Sequence, residues 1–321
     1  MKAHSKAGLI YDHNHDGVDR RGFLKCMAWA GTGALCVMKA GVLRSASLSG
    51  ISEATAGTAG ELRFVQISDS HMGFNKPANQ DVVGTLKAAV EKINALPQAP
   101  EFLLHTGDIS HLSRPEEFEA VEQILKSCVA KEVFYVPGEH DVINDDGAQF
   151  LERFGKGSHG AGWRSFDKNG VHFIGLVNVM NLKAGGLGSL GTEQLEWLEG
   201  DVKGLGASTP IVVFAHIPLW NVYPQWGWGT EDSAQALGYL KRFGSVTVLN
   251  GHIHQTMQKI EGQVTFHTAA STAFPQPPPG QAQGPGPMTV PAEQLRQLLG
   301  ITDVNYLRGR QALAIVDSKL G

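Results

Sequence analysis

Nine residues of types that bind metal ions or move protons fall in five short clusters, each directly after an apolar run. The clusters read SDSH (68–71), TGD (106–108), PGEHD (137–141), AHIP (215–218) and NGHIH (250–254). They supply Asp69, His71, Asp108, Glu139, His140, Asp141, His216, His252 and His254. A lone strand-end Asp is usually a turn former, and a lone His usually satisfies a local hydrogen bond. The ordered set D-x-H, GD, G-x-H-D, H, G-H-x-H says more than its members do singly. Two metals acting together on one substrate need several ligands each and a carboxylate between them. Asp combined with His suits Fe, Mn or Zn better than Mg. His252 and His254 stand two apart, a spacing that places both side chains on one side of an extended chain.

The intervening sequence supplies elements that could bring the clusters together. LRFVQIS (62–68), EFLLHTGD (101–108) and EVFYVPGEHD (132–141) read as strands running into turns. Between them, 81–96 and 115–127 have helical periodicity, the second with Pro115 at its start. Residues 165–178 predict a hairpin around Asn169-Gly170. A helix over 192–202 follows, with Thr192 as its cap. Then come a strand over 210–216, a helix over 232–243, a strand over 245–252 and a hairpin turning at Gly262. Residues 311–318 read as a closing strand. The alternation of strand and helix predicts an α/β layered fold. In such sheets ligands bind beyond the carboxyl ends of the strands, which is where the clusters lie. His105, inside a strand, is expected in the core.

This ordered set of motifs resembles the calcineurin-like metallophosphoesterase family over roughly residues 62 to 270. The resemblance implies a four-layer sandwich of two mixed β-sheets flanked by helices. It also implies hydrolysis of phosphomonoesters or phosphodiesters at a bimetal centre, by in-line attack of a metal-bound hydroxide. Carried over by motif, Asp69, His71 and His254 bind one metal, Glu139, His216 and His252 bind the other, and Asp108 bridges them. His140 then contacts the phosphate and protonates the leaving oxygen. The implied cofactors are two divalent or mixed-valence ions of Fe, Mn or Zn. A non-catalytic metal- or partner-binding protein on the same scaffold is the alternative; retention of His140 speaks for the enzyme.

The chain departs from the family pattern twice. Glu139 stands where the family motif G-N-H-[DE] has a neutral Asn, which is expected to favour a more highly charged ion such as Fe(III) or to tolerate a weaker Lewis acid. His111 stands where purple acid phosphatases have a metal-bound tyrosine and phosphoprotein phosphatases an aspartate. His111 is therefore a candidate substrate contact, with Arg114 as a phosphate fork. Asn250 is a candidate for steadying a metal ligand through a hydrogen bond. The aromatic loop WNVYPQWGWGT (220–230) either stacks on a substrate base or sugar or packs over the site.

Composition sets the outer bounds. With 321 residues, 42% apolar and 18% charged, the chain is long enough for one large globular domain. A formal net charge of -4 with no basic stripe argues against nucleic-acid binding, and the expected partner is a small phosphorylated substrate. Three cysteines, Cys26, Cys36 and Cys128, have no metal-ligand or disulfide spacing. DRRGFLK (19–25), followed by a short apolar run, resembles a twin-arginine export signal. The run from Met27 to Met38 is too short for a stable membrane span. Residues 1–56 are expected to be signal and spacer, engaging the twin-arginine export machinery and sending 57–321 to the periplasm or beyond. Removing them would take away seven basic and four acidic residues, leaving 20 against 27. The Pro/Gly-rich stretch from 275, extending to 310, is expected to be a loop or lid.

Overall fold

The structure, a computed structural model, describes residues 61–308 and 313–321. It also describes the backbone of an antiparallel hairpin, Ala34–Lys39 (β1) with Val42–Ser47 (β2), in a separate N-terminal unit. Apart from that hairpin, the export signal expected over 1–56 lies outside the described residues.

The main unit begins with three parallel strands, Glu61–Ile67 (β3), Phe102–His105 (β4) and Glu132–Tyr135 (β5). Val82–Asn94 (α1) and Pro115–Leu125 (α2) connect them. Asp81 starts α1 by accepting from the Gly84 N–H at 2.8 Å, a side-chain cap on an otherwise orphaned donor. A second sheet holds Arg164–Lys168 (β6), Val171–Gly175 (β7), Ile211–Phe214 (β8), Val246–Asn250 (β9), Met257–Glu261 (β10) and Val264–Thr268 (β11). Its order is β10-β11-β9-β8-β7-β6, parallel at the centre and antiparallel at both edges. The β6–β7 turn is Asn169-Gly170, both with positive φ (49° and 82°), as expected for a two-residue hairpin loop. Thr192–Lys203 (α4) and Ser233–Leu240 (α5) cover this sheet, after a short helix, Ala148–Phe154 (α3), that follows β5.

The strands alternate in the manner a sandwich requires. Leu62, Phe64, Phe102 and Leu104 from one sheet meet Phe173, Val212, Phe214 and Leu249 from the other in a buried layer. Val65, Ile67 and Leu103 point the opposite way, toward Leu86 and Val90 of α1 and Phe118 and Val121 of α2. Ile211, Val213, Val246 and Val248 do the same toward Leu195 and Leu198 of α4 and Ala236 and Leu240 of α5. Two mixed sheets flanked by helices make the four layers.

Four elements differ from expectation. The stretch expected to be loop to residue 310 instead contains Ala292–Leu298 (α6) and Gly300–Leu307 (β12). β12 runs antiparallel between β3 and Ala314–Lys319 (β13), completing the first sheet as β13-β12-β3-β4-β5. Its polar look, with Asp303 and Asn305, hid it; Asp303 is buried because Arg63 of β3 reaches it with two hydrogen bonds of 2.9 and 2.6 Å. α3 had no counterpart in the sequence reading. Finally, Thr192 is the first residue of α4 rather than its cap: Asp232, at the head of α5, accepts from the N–H groups of Leu190 and Gly191 instead.

Candidate metal centre

Each cluster sits just past the carboxyl end of a strand: Asp69 and His71 after β3, Asp108 after β4, Glu139 and His140 after β5, His216 after β8, His252 and His254 after β9. The backbone there is held in an uncommon shape. Among the described residues eight non-glycine residues have positive φ, and five of them are Asp69 (53°), His71 (40°), Asp108 (51°), His252 (69°) and His254 (52°). Such a conformation is unfavourable for a side-chain-bearing residue, and its concentration here marks a functional site. It also corrects the extended-chain argument for His252 and His254. They lie in a left-handed turn, and each joins a different group of ligands.

Two glycines let the loops close on one another. A Cβ on Gly107 would lie 2.5 Å from His216 Nδ1, and one on Gly138 would lie 2.0 Å from Asp108 Oδ1. Asp141 then ties the loops together. It accepts from the N–H groups of Ile109 (3.1 Å), Ser110 (2.8 Å) and Gly138 (2.9 Å) and from the Ser110 hydroxyl (2.7 Å). Burial and the charge of Asp108 push the Asp141 carboxyl up to about 7, against those donors.

The ligand atoms converge as two triads. In one, His254 Nε2 is 3.2 Å from both Asp69 Oδ1 and His71 Nε2. In the other, Glu139 reaches His216 Nε2 with one oxygen (2.9 Å) and His252 Nδ1 with the other (3.0 Å). Asp108 Oδ2 lies between the triads, 3.4 Å from His71 Nε2 and 3.5 Å from His216 Nε2. The geometry thus brings together all seven residues expected as ligands.

Hydrogen bonding decides what these atoms can hold. His216 Nδ1 donates to the Thr106 carbonyl (2.7 Å) and His254 Nδ1 to the Phe274 carbonyl (2.6 Å). Each bond fixes the tautomer, so Nε2 presents a lone pair to the cluster. Lone pairs then face carboxylate oxygens and one another at about 3 Å, an arrangement that a cation between them satisfies. The residues present therefore fit two metal ions.

The electrostatics agree. Burial works against charge on Asp69, but His254 outweighs it and holds the carboxyl at about 2. Burial likewise opposes the Glu139 charge, and His252 and His216 nonetheless hold it well below the usual carboxylate range. On His216 burial disfavours a positive charge, yet Asp108 and Glu139 raise its pKa well above the ordinary value: the two carboxylates call for a cation at Nε2, the place a metal ion would take from a proton. Burial, then His140 and His254, push His71 well below it.

His140 stands beside the triads without belonging to either. Its N–H donates to Asp108 Oδ1 (3.0 Å), and its Nδ1 donates to the His111 carbonyl (2.7 Å), leaving Nε2 free for substrate. His111 stacks on the His140 ring with centroids 4.8 Å apart and brings Nδ1 to 3.4 Å from Nδ1 of His71. Burial, then the charge of His140, lowers its pKa to about 4, so it is neutral and can accept from His71. Its ring thus touches both His71 and His140 while staying half-buried at the edge of the cluster. Arg114 is exposed at the start of α2, and its guanidinium makes no hydrogen bond or ion pair with the cluster among the described residues. Asn250 touches no ligand side chain; its Nδ2 donates to the carbonyls of Ala215 and Ile217, which flank His216. His105 is buried, with Nε2 2.8 Å from Ser70 Oγ, as expected of a core residue. In the aromatic loop Trp228 is fully buried and Trp226 meets it edge-on, so these two rings pack.

Sequence reasoning missed the segment after β11. Ser271 Oγ donates to the Asp69 carbonyl (2.7 Å), the Phe274 ring stacks on His71 at 4.7 Å, and Gln276 donates to the His252 carbonyl (3.2 Å). No charged or ligand-type side chain marks STAFPQ, so pattern alone could not find it.

The sequence profile described as calcineurin-like phosphoesterase matches residues 62–256. The chain is 25% identical over 219 residues to a 3′,5′-cyclic-nucleotide phosphodiesterase of Nostoc sp., covering 66% of this chain and 79% of that one. It is 26% identical over 230 residues to the glycerophosphodiester phosphodiesterase GpdQ of Enterobacter lignolyticus, covering 67% and 78%. The crystal structure of a dimetal phosphatase from Danio rerio superposes with a TM-score of 0.62 at 14% identity, over 81% of this chain and 96% of that one. That likeness is one of fold.

Proposed function

The chain belongs to the calcineurin-like phosphoesterase family, and from that premise we propose that it hydrolyses phosphomonoesters or phosphodiesters at the centre formed by its two triads. The observation that carries this reading is the convergence of Asp69, His71 and His254 with Glu139, His216 and His252 around Asp108. Asp69, His71 and His254 would hold one ion, Glu139, His216 and His252 the other, and Asp108 both. When bound, the ions supply Lewis acidity to the phosphoryl oxygens and activate the attacking water.

The remaining chemistry falls to side chains. His140 is poised as the proton donor. Burial opposes its charge, but Asp108 and Glu139 raise its pKa above the ordinary imidazole value, so it retains a proton to give to the leaving oxygen. The His111 carbonyl fixes which nitrogen gives it. Thr106 and Phe274 orient His216 and His254 through their carbonyls. Phosphodiesterases and phosphatases both occur among the relatives, and both ester classes are carried forward.

The twin-arginine sequence at 19–25 supports export of the folded, metal-loaded chain to the periplasm or beyond. Among the described residues no helix is long and apolar enough to cross a membrane.

The test is to strip the protein of metal and reload it with Mn, Fe or Zn. It is then assayed on p-nitrophenyl phosphate and bis(p-nitrophenyl) phosphate, with Asp108→Asn as control. Turnover that needs metal and vanishes in the control is expected. Two bound ions without turnover on any phosphoester would overturn the reading.

A further inference from the structure

We propose that Glu139 makes this centre selective for phosphodiesters over phosphomonoesters, by setting the charge that a bound ester must match. The inference rests on the phosphoesterase reading above and narrows its substrate class.

Glu139 lies inside the second triad, not on its rim, with one oxygen against His216 and the other against His252. Itself partly exposed, it joins two buried carboxylates, Asp69 (0% exposed) and Asp108 (2%). Ligands of a metal ion are deprotonated, so the set carries three negative charges. Two divalent ions then leave the centre with a single net positive charge, where a neutral amide at this position would leave two. A phosphodiester carries one negative charge and neutralises the centre. A phosphomonoester carries about 1.5 to 2 at neutral pH and overshoots it. Because Coulomb energy scales with the product of charges, the Glu139 carboxylate repels the monoester about twice as strongly. Any other anion at the centre shifts both cases the same way and keeps the difference.

No lysine or arginine among the described residues offsets that charge; a proton on His140 would add one positive charge for both esters and leave the repulsion from Glu139 itself in place. Among the described residues, the ion-pair partners of Asp69, Asp108 and Glu139 are histidines, and no Lys or Arg side chain bonds to any of the seven ligands. A site made for a dianion gains most from a guanidinium fork, and Arg114 stays exposed without reaching the cluster. A trivalent ion in the pair would restore the second positive charge, so the test fixes the metal.

Wild type and Glu139→Gln, as full chains reloaded with Mn(II), are compared after ions per chain are counted by mass spectrometry. Two quantities are measured: kcat/KM for bis(p-nitrophenyl) and p-nitrophenyl phosphate, and calorimetric binding of dimethyl and methyl phosphate. The variant is expected to keep two ions and to move the diester-to-monoester ratio toward the monoester by about tenfold or more. Methyl phosphate should tighten, with dimethyl phosphate nearly unchanged. An unchanged ratio with two ions bound, or an equal fall on both esters, overturns the proposal. If the Gln variant holds fewer ions, Glu139→Asn at saturating Mn(II) takes its place, with the same criteria. A wild type that turns over neither ester defeats the phosphoesterase reading; a wild type that turns over, with an unshifted ratio in the variants, defeats only the role of Glu139.

Discussion

Asp108 is the residue on which the centre depends, because its Oδ2 lies midway between the triads, 3.4 Å from His71 and 3.5 Å from His216. Replacing it by Asn keeps the shape and removes the bridging charge. Turnover should fall by at least about 100-fold, more than is lost with an outer support, and the number of ions per chain should drop with it. His111 is such a support. Its imidazole takes the place that a backbone carbonyl holds for His216 and His254. His111→Ala should weaken binding of the ion held by His71 about 10- to 100-fold, read by chelator competition, while the ion held by His216 and His252 is retained. The seven converging residues were legible in the sequence because each is of a metal-binding type at a strand end. Their left-handed backbone was not, since Asp and His carry no sign of it. Phe274 was not either, because it contributes a carbonyl and a ring face that any aromatic residue could offer.

Elements carry the site only as far as they hold each other. His172 in β7 joins Asp167 of β6 and Asp201 of α4, each at 2.9 Å. Burial disfavours its charge, but hydrogen bonds to Asp201 and Asp167 outweigh that and raise its pKa above 6.5. A raised value means the ion pairs stabilise the fold fully below about pH 6.5 and lose that contribution as pH climbs through the folded-state value. His172→Asn should therefore cost about 1–2 kcal/mol in the acidic range, and the gap to wild type should close as pH rises, read by chemical denaturation across pH. In the buried layer between the sheets, Phe214→Ala should cost about 3–5 kcal/mol. Strands with β-branched and aromatic runs were readable from pattern alone. β12 was not, because its buried Asp303 is legible only beside Arg63, a residue distant in sequence. The start of α4 failed for the same reason, its capping carboxylate arriving from Asp232.

For the whole molecule, buried carboxylates and imidazoles crowded at one edge of two sheets make the folded state hungry for cations. Reloading the stripped protein with Mn(II) at about a hundred times its dissociation constant should raise the melting temperature by about 5–10 °C; no shift would mean that the centre does not hold metal in solution. The α/β layering was foreseeable from the alternation of strands and helices, and the four-layer sandwich from the family resemblance. Its closing strand, β13, was readable over 311–318, but the seam of β12 on β3 was not, because those two strands lie far apart in sequence. Arg63 and Asp303, paired across that seam, are 240 residues apart. β3 pairs early with β4, but the chain must extend past β11 before β3 gains its second neighbour, β12. Until then β3 presents an unsatisfied edge to the cell. Any chain that stops short of β12 would carry that open edge, a row of free backbone groups ready to pair with another strand.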